Sequence, residues 1–225
     1  MSIYSRLAFA LVGSAVVASM AASTANAQAF VNGSFETPVV GTGITTLGVG
    51  SNAMTGWVIE AGSVDVVGSS LWPAFDGLNS VDLDGTAAGT ISQTFSTLVG
   101  SQYTYSFEYS NNTGTGSLVT ATATVVSASA QTLSTLNFSH QGASGASVAA
   151  MKYTLGTGFF TATSTTSTLR FTSTDSAGSN QGIVLDAASV VQSGTGAAPE
   201  PVSSALLAVG LPMGLALLRR RVRRS

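Results

Sequence analysis

Five carboxylates, one imidazole and a short aromatic loop are the side chains of this sequence with chemistry to offer. Asp65, Asp76, Asp82, Asp84 and Glu108 are available for the carboxylate pair of a glycosidase. Strand alternation sets Asp82, Asp84 and Glu108 opposite apolar neighbours, on wet faces where acidic residues serve solubility. The only histidine, His140, sits in a Ser/Gly-rich stretch without a surrounding motif and reads as a solvated loop residue. One histidine and no cysteine cannot build a zinc site, and thiol catalysis and disulfides are excluded outright. Serine and threonine abound, yet no Gly-x-Ser-x-Gly or Ser-x-x-Lys arrangement accompanies them. These observations point to a non-enzymatic protein.

Recognition chemistry is better represented. In Trp72-Pro73-Ala74-Phe75-Asp76 two aromatics and a carboxylate fall in a loop rather than on an alternating strand. Such a loop suits glycan binding. Trp72 or Phe75 would cover the apolar face of a sugar ring while Asp76 accepts its hydroxyl hydrogens. The competing expectation is that Pro73 turns Trp72 inward as a plug. Trp57, just after Gly56 at a strand start, reads as core. Calcium is a further expectation, because the chain is rich in carboxylates and backbone carbonyls, the hard oxygens it takes.

The elements positioning these residues read as strands. Between residues 30 and 198 no helical stripe appears; short alternating runs separated by Gly, Asn, Asp and Ser predict an all-β sandwich or barrel. Tyr103, Tyr105, Phe107 and Tyr109 face one way, Thr104, Ser106 and Glu108 the other. Further strands are expected at Trp57–Glu60, Val64–Val67, Ser80–Asp84, around Ile91 and Phe95, and at Leu118–Val126. Later ones are expected at Thr132–Phe138, Val148–Leu155, Thr168–Thr172 and Gly182–Val191. Gly142–Ser147 reads as a hairpin loop. Ser and Thr supply 28 of the 70 residues from 111 to 180. That composition suits strands but makes a thin core.

The two ends of the chain address a membrane. Arg6, an apolar run from Leu7 to Ala18 and small-x-small sites at Ala25-Asn26-Ala27 and Ala27-Gln28-Ala29 have the layout of a secretory signal peptide over residues 1–27. At the other end, Pro199-Glu200-Pro201 precedes an apolar run, residues 202–218. At 1.5 Å per residue that run makes about 25 Å of helix, enough for a thin bilayer. Arg219, Arg220, Arg221, Arg223 and Arg224 close the chain and would hold that end in the cytoplasm. Between the ends lies one domain of residues 28–193 and a spacer, residues 194–198. Nine acidic side chains there face only Lys152 and Arg170, so nucleic acid is not an expected partner.

This tail resembles the PEP-CTERM sorting domain of exopolysaccharide-producing Gram-negative bacteria. The resemblance implies an exosortase-type membrane transpeptidase as partner, cleavage near Pro199, Glu200 and Pro201, transient inner-membrane insertion, and delivery to the cell surface, outer membrane or matrix. A second resemblance covers residues 31 to about 191. Asn32-Gly33-Ser34-Phe35-Glu36, Gly56-Trp57, Ser80-Val81-Asp82-Leu83-Asp84-Gly85 and Ile183-Val184-Leu185-Asp186 are similar to the DUF642-like, choice-of-anchor C domains. That family implies a galactose-binding-like jelly roll of the kind many carbohydrate-binding modules use. It also implies a structural Ca2+ at positions matching Glu36 and Asp186. Ala187 departs from the family, which has Asn there. The functional expectation is an exported surface or matrix protein that binds extracellular polysaccharide. A structural matrix protein without a ligand, or less readily a carbohydrate-active enzyme, is the alternative.

Overall fold

The computed structural model describes residues 28–141 and 147–194. The signal peptide, residues 142–146 of the expected hairpin loop, spacer residues 195–198, the Pro199-Glu200-Pro201 motif, the apolar run 202–218 and the terminal arginines lie outside the described residues. Among the described residues no helix is long and apolar enough to cross a membrane.

The strands are β1 (Ile44–Gly48), β2 (Val58–Ala61), β3 (Ser63–Gly68), β4 (Asn79–Asp82), β5 (Thr90–Ser96), β6 (Gln102–Asn111), β7 (Leu118–Ser127), β8 (Thr132–Gln141), β9 (Thr154–Thr161), β10 (Thr166–Ser173) and β11 (Ile183–Gly194). One sheet has the order β1-β3-β4-β11-β6-β9, the other β2-β5-β10-β7-β8, and every pairing is antiparallel. The last eight strands pair in nested fashion: β4 with β11, β5 with β10, β6 with β9 and β7 with β8. That is one long antiparallel ribbon rolled into two layers, the jelly-roll solution to burying one face of each sheet. β1 and β3 extend the first sheet beyond β4, and β2 flanks β5 in the second.

Alternation builds the core. β6 sends Tyr103, Tyr105 and Phe107 inward, all buried. β7 answers from the other sheet with Val119, Ala121, Ala123 and Val125, and β10 with Leu169 and Phe171. Small residues on β7 leave volume for rings, and Phe107 uses it, with its centroid 4.8 Å from both Phe138 and Phe171. The Phe171 contact is edge-to-face, a geometry that adds roughly 0.5–1.5 kcal/mol to what area burial provides. Trp57 lies in the same core as expected, its indole N–H donating to the Asn32 carbonyl at 3.0 Å.

Several expectations are corrected. β9 begins at Thr154, whereas the sequence reading put a strand at Val148–Leu155. Gly156 and Gly158 lie in register with Phe107 and Tyr105, and a Cβ at either would run into the facing ring. These glycines are clearance for aromatics. β1 carries only one buried residue, Leu47, so it left no alternation to detect. His140 is on β8 rather than in a loop. Half-buried, it holds Asn111 Oδ1 at 2.7 Å and the Lys152 carbonyl at 3.2 Å.

Asp82 and Asp84 are not on a wet face. Both are fully buried. The outer face of the six-stranded sheet is roofed here by its own connections. Trp72, Met151 and the half-buried Tyr153 close over Val67 and Val184 as a second apolar cluster. Asn112 and Gly182 close over Asp82, whose carboxylate accepts from Asp84 N–H, Gly182 N–H and the Asn112 amide at 2.9, 3.1 and 2.6 Å. Burial is the main reason its pKa is pushed up to about 8.

Candidate functional site

The segment joining β3 to β4 leaves the sheet at Gly68 and returns at Asn79, and four anchors fix its shape. Ser69 N–H donates to the Leu78 carbonyl at 2.7 Å and closes its neck. Trp72 is buried, and its indole N–H donates to Ser80 Oγ at 2.9 Å. Asp186 Oδ2 accepts from the backbone N–H groups of Phe75 and Asp76, at 2.7 and 3.0 Å. Glu36 Oε1 accepts from Leu78 and Asn79 N–H, each at 2.8 Å. Gly77 lies between the two clamps at φ 72°, where a Cβ would strike the Glu36 carboxylate.

Each clamp is set by a local feature of the chain. Asn32 and Phe35 adopt left-handed backbone conformations. The resulting turn drives Phe35 into the core and aims Glu36 outward. Gly33 lets this turn lie against β11, where Ala188 N–H donates to its carbonyl at 2.9 Å. On β11 the register slips between Asp186 and Ser189, and Ala187 sits at φ 47°. That irregularity lets Asp186 Oδ1 take the Ala187 N–H at 2.6 Å while Oδ2 holds the loop. Burial pushes the Asp186 carboxyl up to about 7, against the pull of the Asp76, Ala187 and Phe75 amides.

The aromatic expectation therefore divides. Trp72 is not an exposed platform. It is the plug, held inward because its apolar body packs with Val67, Met151 and Val184 while its N–H finds a hydroxyl. Phe75 is 53% exposed and packs edge-on against Tyr153 at 5.7 Å. The Tyr153 hydroxyl donates to the Pro73 carbonyl at 3.2 Å. Beside Phe75 the exposed Asp76 accepts the Ser34 hydroxyl on Oδ2 at 2.6 Å. Phe75, Asp76, Ser34 and Tyr153 thus come together at the tip. No periodicity or motif marked Tyr153, which comes from the distant connection between β8 and β9.

Glu36 and Asp186 both reach this loop, but they do not fit a cation between them. Five N–H groups point at their oxygens, and such donors crowd out a metal rather than complete its shell. Among the described residues no three His, Cys, Asp or Glu side chains group in a way that could hold a metal ion. The pair acts as an amide clamp.

A concavity of about 320 Å³ lies on the outer face of the five-stranded sheet. Thr120, Thr122, Asn137, Ser139 and Thr174 line it. Its walls offer hydroxyls and an amide but no exposed ring. Elsewhere on that face Arg170 pairs with Glu60 at 2.6 Å. Asp65 accepts the Thr46 hydroxyl at 2.6 Å on the other sheet, and Glu108 is half-buried.

Comparison with known proteins adds the following. The family model described as "Protein of unknown function (DUF642)" matches residues 28–190. Halomucin of Haloquadratum walsbyi (strain DSM 16790 / HBSQ001) is 31% identical over 174 residues, which cover 77% of this chain and 2% of halomucin. This chain thus spans a small fraction of that relative. Among solved structures, TmCBM61 in complex with β-1,4-galactotriose is similar with a TM-score of 0.46 and 14% identity, over 73% of this chain and 98% of that one. The CBM22-1 xylan-binding domain of Paenibacillus barcinonensis Xyn10C is similar with a TM-score of 0.45 and 14% identity, over 69% and 99%. The jelly roll itself rests on the strand pairing described above.

Proposed function

Since the chain belongs to the DUF642 family of proteins of unknown function, we propose that it is an exported, non-enzymatic surface or matrix protein whose β3–β4 loop binds polysaccharide. The observation that carries this reading is the loop tip. An exposed phenyl ring and a carboxylate stand side by side on a backbone held by two separate carboxylate clamps. Phe75 would lie against the C–H face of a sugar ring, and Asp76 and the Ser34 hydroxyl would meet ring hydroxyls. Pre-organisation matters because a weak single site loses less to loop ordering. Many copies in one matrix raise the effective affinity further.

Delivery belongs to the same proposal and is supported by sequence. A signal peptide of residues 1–27 would start export. The Pro199-Glu200-Pro201 tail would enter the inner membrane transiently and be cut by an exosortase-type transpeptidase. The product would reach the cell surface, outer membrane or matrix. N-terminal sequencing of exported material should begin at Gln28 or Phe30, and its intact mass should lack Arg219 to Arg224.

Affinity electrophoresis on exopolysaccharide, run beside thermal melts, tests the binding. Wild type should be retarded. Phe75→Ala should lose retardation with little change in Tm, since half of that ring already faces water. Unretarded, well-folded wild type overturns the reading and leaves a structural matrix protein.

A further inference from the structure

The described residues contain four buried side-chain N or O atoms without a hydrogen-bond partner, and three are carboxylate oxygens of two residues that the fold brings to one end of the sandwich. Asp84 pairs with Ala88 in an antiparallel bridge, Ser173 N–H donates to the Gly89 carbonyl at 3.0 Å, and Asp175 N–H donates to Ser173 Oγ at 3.3 Å. They are Asp84 Oδ1, Asp84 Oδ2 and Asp175 Oδ2. Asp84 is fully buried just past the end of β4. Asp175 follows β10, in the connection to β11. Burial pushes the Asp84 carboxyl above its ordinary range and the Asp175 charge adds to the rise, while the Ser173 and Ser179 hydroxyls and the Gly89 N–H oppose it. Gly182 lets the β10–β11 connection close over it, since a Cβ there would come within 2.6 Å of the Asp84 carboxyl carbon.

An orphaned buried carboxylate is costly, and charge of one sign on two neighbours compounds the cost. A single proton shared between Asp84 and Asp175 still leaves an acceptor without a donor. One cation serves all three oxygens at once. We propose that Asp84 and Asp175, joined by the hydroxyls of Ser173 and Ser179, form a calcium site where β4 and β10 end. Calcium is favoured over magnesium because it accepts six to eight oxygens in flexible geometry, as turn-borne carboxylates and hydroxyls provide. Asp82, two residues back, is not a ligand, for three N–H donors already occupy its oxygens. Arg170, a possible counter-charge, is committed to Glu60.

The site would join three parts of the fold. Asp175 Oδ1 already accepts Thr120 N–H and the Thr120 hydroxyl, at 2.9 and 3.0 Å. Metal on Oδ2 would therefore tie the start of β7 to the ends of β4 and β10. Thr120 and Thr174 border the outer-face concavity, so calcium would also fix that rim.

The full chain, stripped with chelator, is melted with and without calcium and titrated with calcium by calorimetry. Calcium a hundredfold above its Kd should raise Tm by about 5–10 °C. Asp84→Asn and Asp175→Asn should each abolish the rise and the binding heat, whereas Glu36→Gln should keep both. Should Asp84→Asn fail to fold, Asp175→Asn, in a more exposed turn, decides by the same two readouts. Identical melting of wild type in calcium and chelator overturns the proposal and leaves Asp84 a protonated acid. A response that survives both aspartate variants, or that Glu36→Gln alone removes, overturns it too. No readout involves polysaccharide, so glycan binding stands or falls separately.

Discussion

Replacing Asp186 by asparagine sets desolvation against hydrogen bonding at a single carboxylate. Burial raises its pKa from 3.8 to about 7, while three backbone N–H donors favour the ionised form. About three pKa units correspond to ~4 kcal/mol of linkage. The sign follows from proton count. Between pH 4 and 7 the folded state holds a proton that the unfolded chain has released. This contribution is therefore complete below about pH 4, falls as pH rises, and is gone above about pH 7. Asparagine retains one oxygen for the Phe75 and Asp76 amides but turns an NH2 toward Ala187 N–H, losing one bond at roughly 1–3 kcal/mol. Above pH 7 that loss is offset by relief of the buried charge, so the variant should match or exceed wild type. At pH 4 it should be the less stable of the two. Urea unfolding from pH 4 to 8, in chelator, measures both curves. Asp82, pushed up to about 8, tilts them equally, so their difference isolates Asp186. Wild-type stability that rises through this window, with Asp186→Asn costing ~3 kcal/mol at pH 8, would show that the amides outweigh burial. The reasoning would then fail.

Trp72→Ala should cost roughly 3–5 kcal/mol in urea unfolding, the range for deleting a buried indole; a change below ~1 kcal/mol would mean the roof over Val67 and Val184 is dispensable. Gly158→Ala should cost about 1–3 kcal/mol, because its Cβ would drive the fully buried Tyr105 ring out of place. Arg170→Ala should change stability by less than ~1 kcal/mol, and by less still at high salt, since both ends of its ion pair are about one-third exposed and open to screening.

Where one sheet face meets the core and the other meets water, alternation in the sequence is enough to place residues. β6, β7 and β10 satisfy that condition; the inward face of β6 was legible from periodicity, and Trp57 from its place after Gly56 at a strand start. The same rule misplaced Asp82 and Asp84, because it takes the second face to be wet. The first sheet breaks that premise twice: the β3–β4 and β8–β9 connections fold back over Val67 and Val184, and Asn112 and Gly182, from two further connections, close over Asp82. The contacts that make the roof link residues far apart in the chain: Phe75 to Asp186, Asp82 to Gly182, Pro73 to Tyr153. No local pattern encodes such pairings. One local clue existed nonetheless. Trp72 lies in a connection rather than a strand, and a residue so apolar must find cover, which on a sheet already filled inside means the outside. Carboxylates on the roofed face then lose water and must take amides, protons or cations instead. Asp186 and Asp82 each take amides and still have a raised pKa, and both Asp84 oxygens are buried without a hydrogen-bond partner. The roof that hides Trp72 from a glycan is thus of the same kind as the cover that leaves Asp84 in need of a counter-charge.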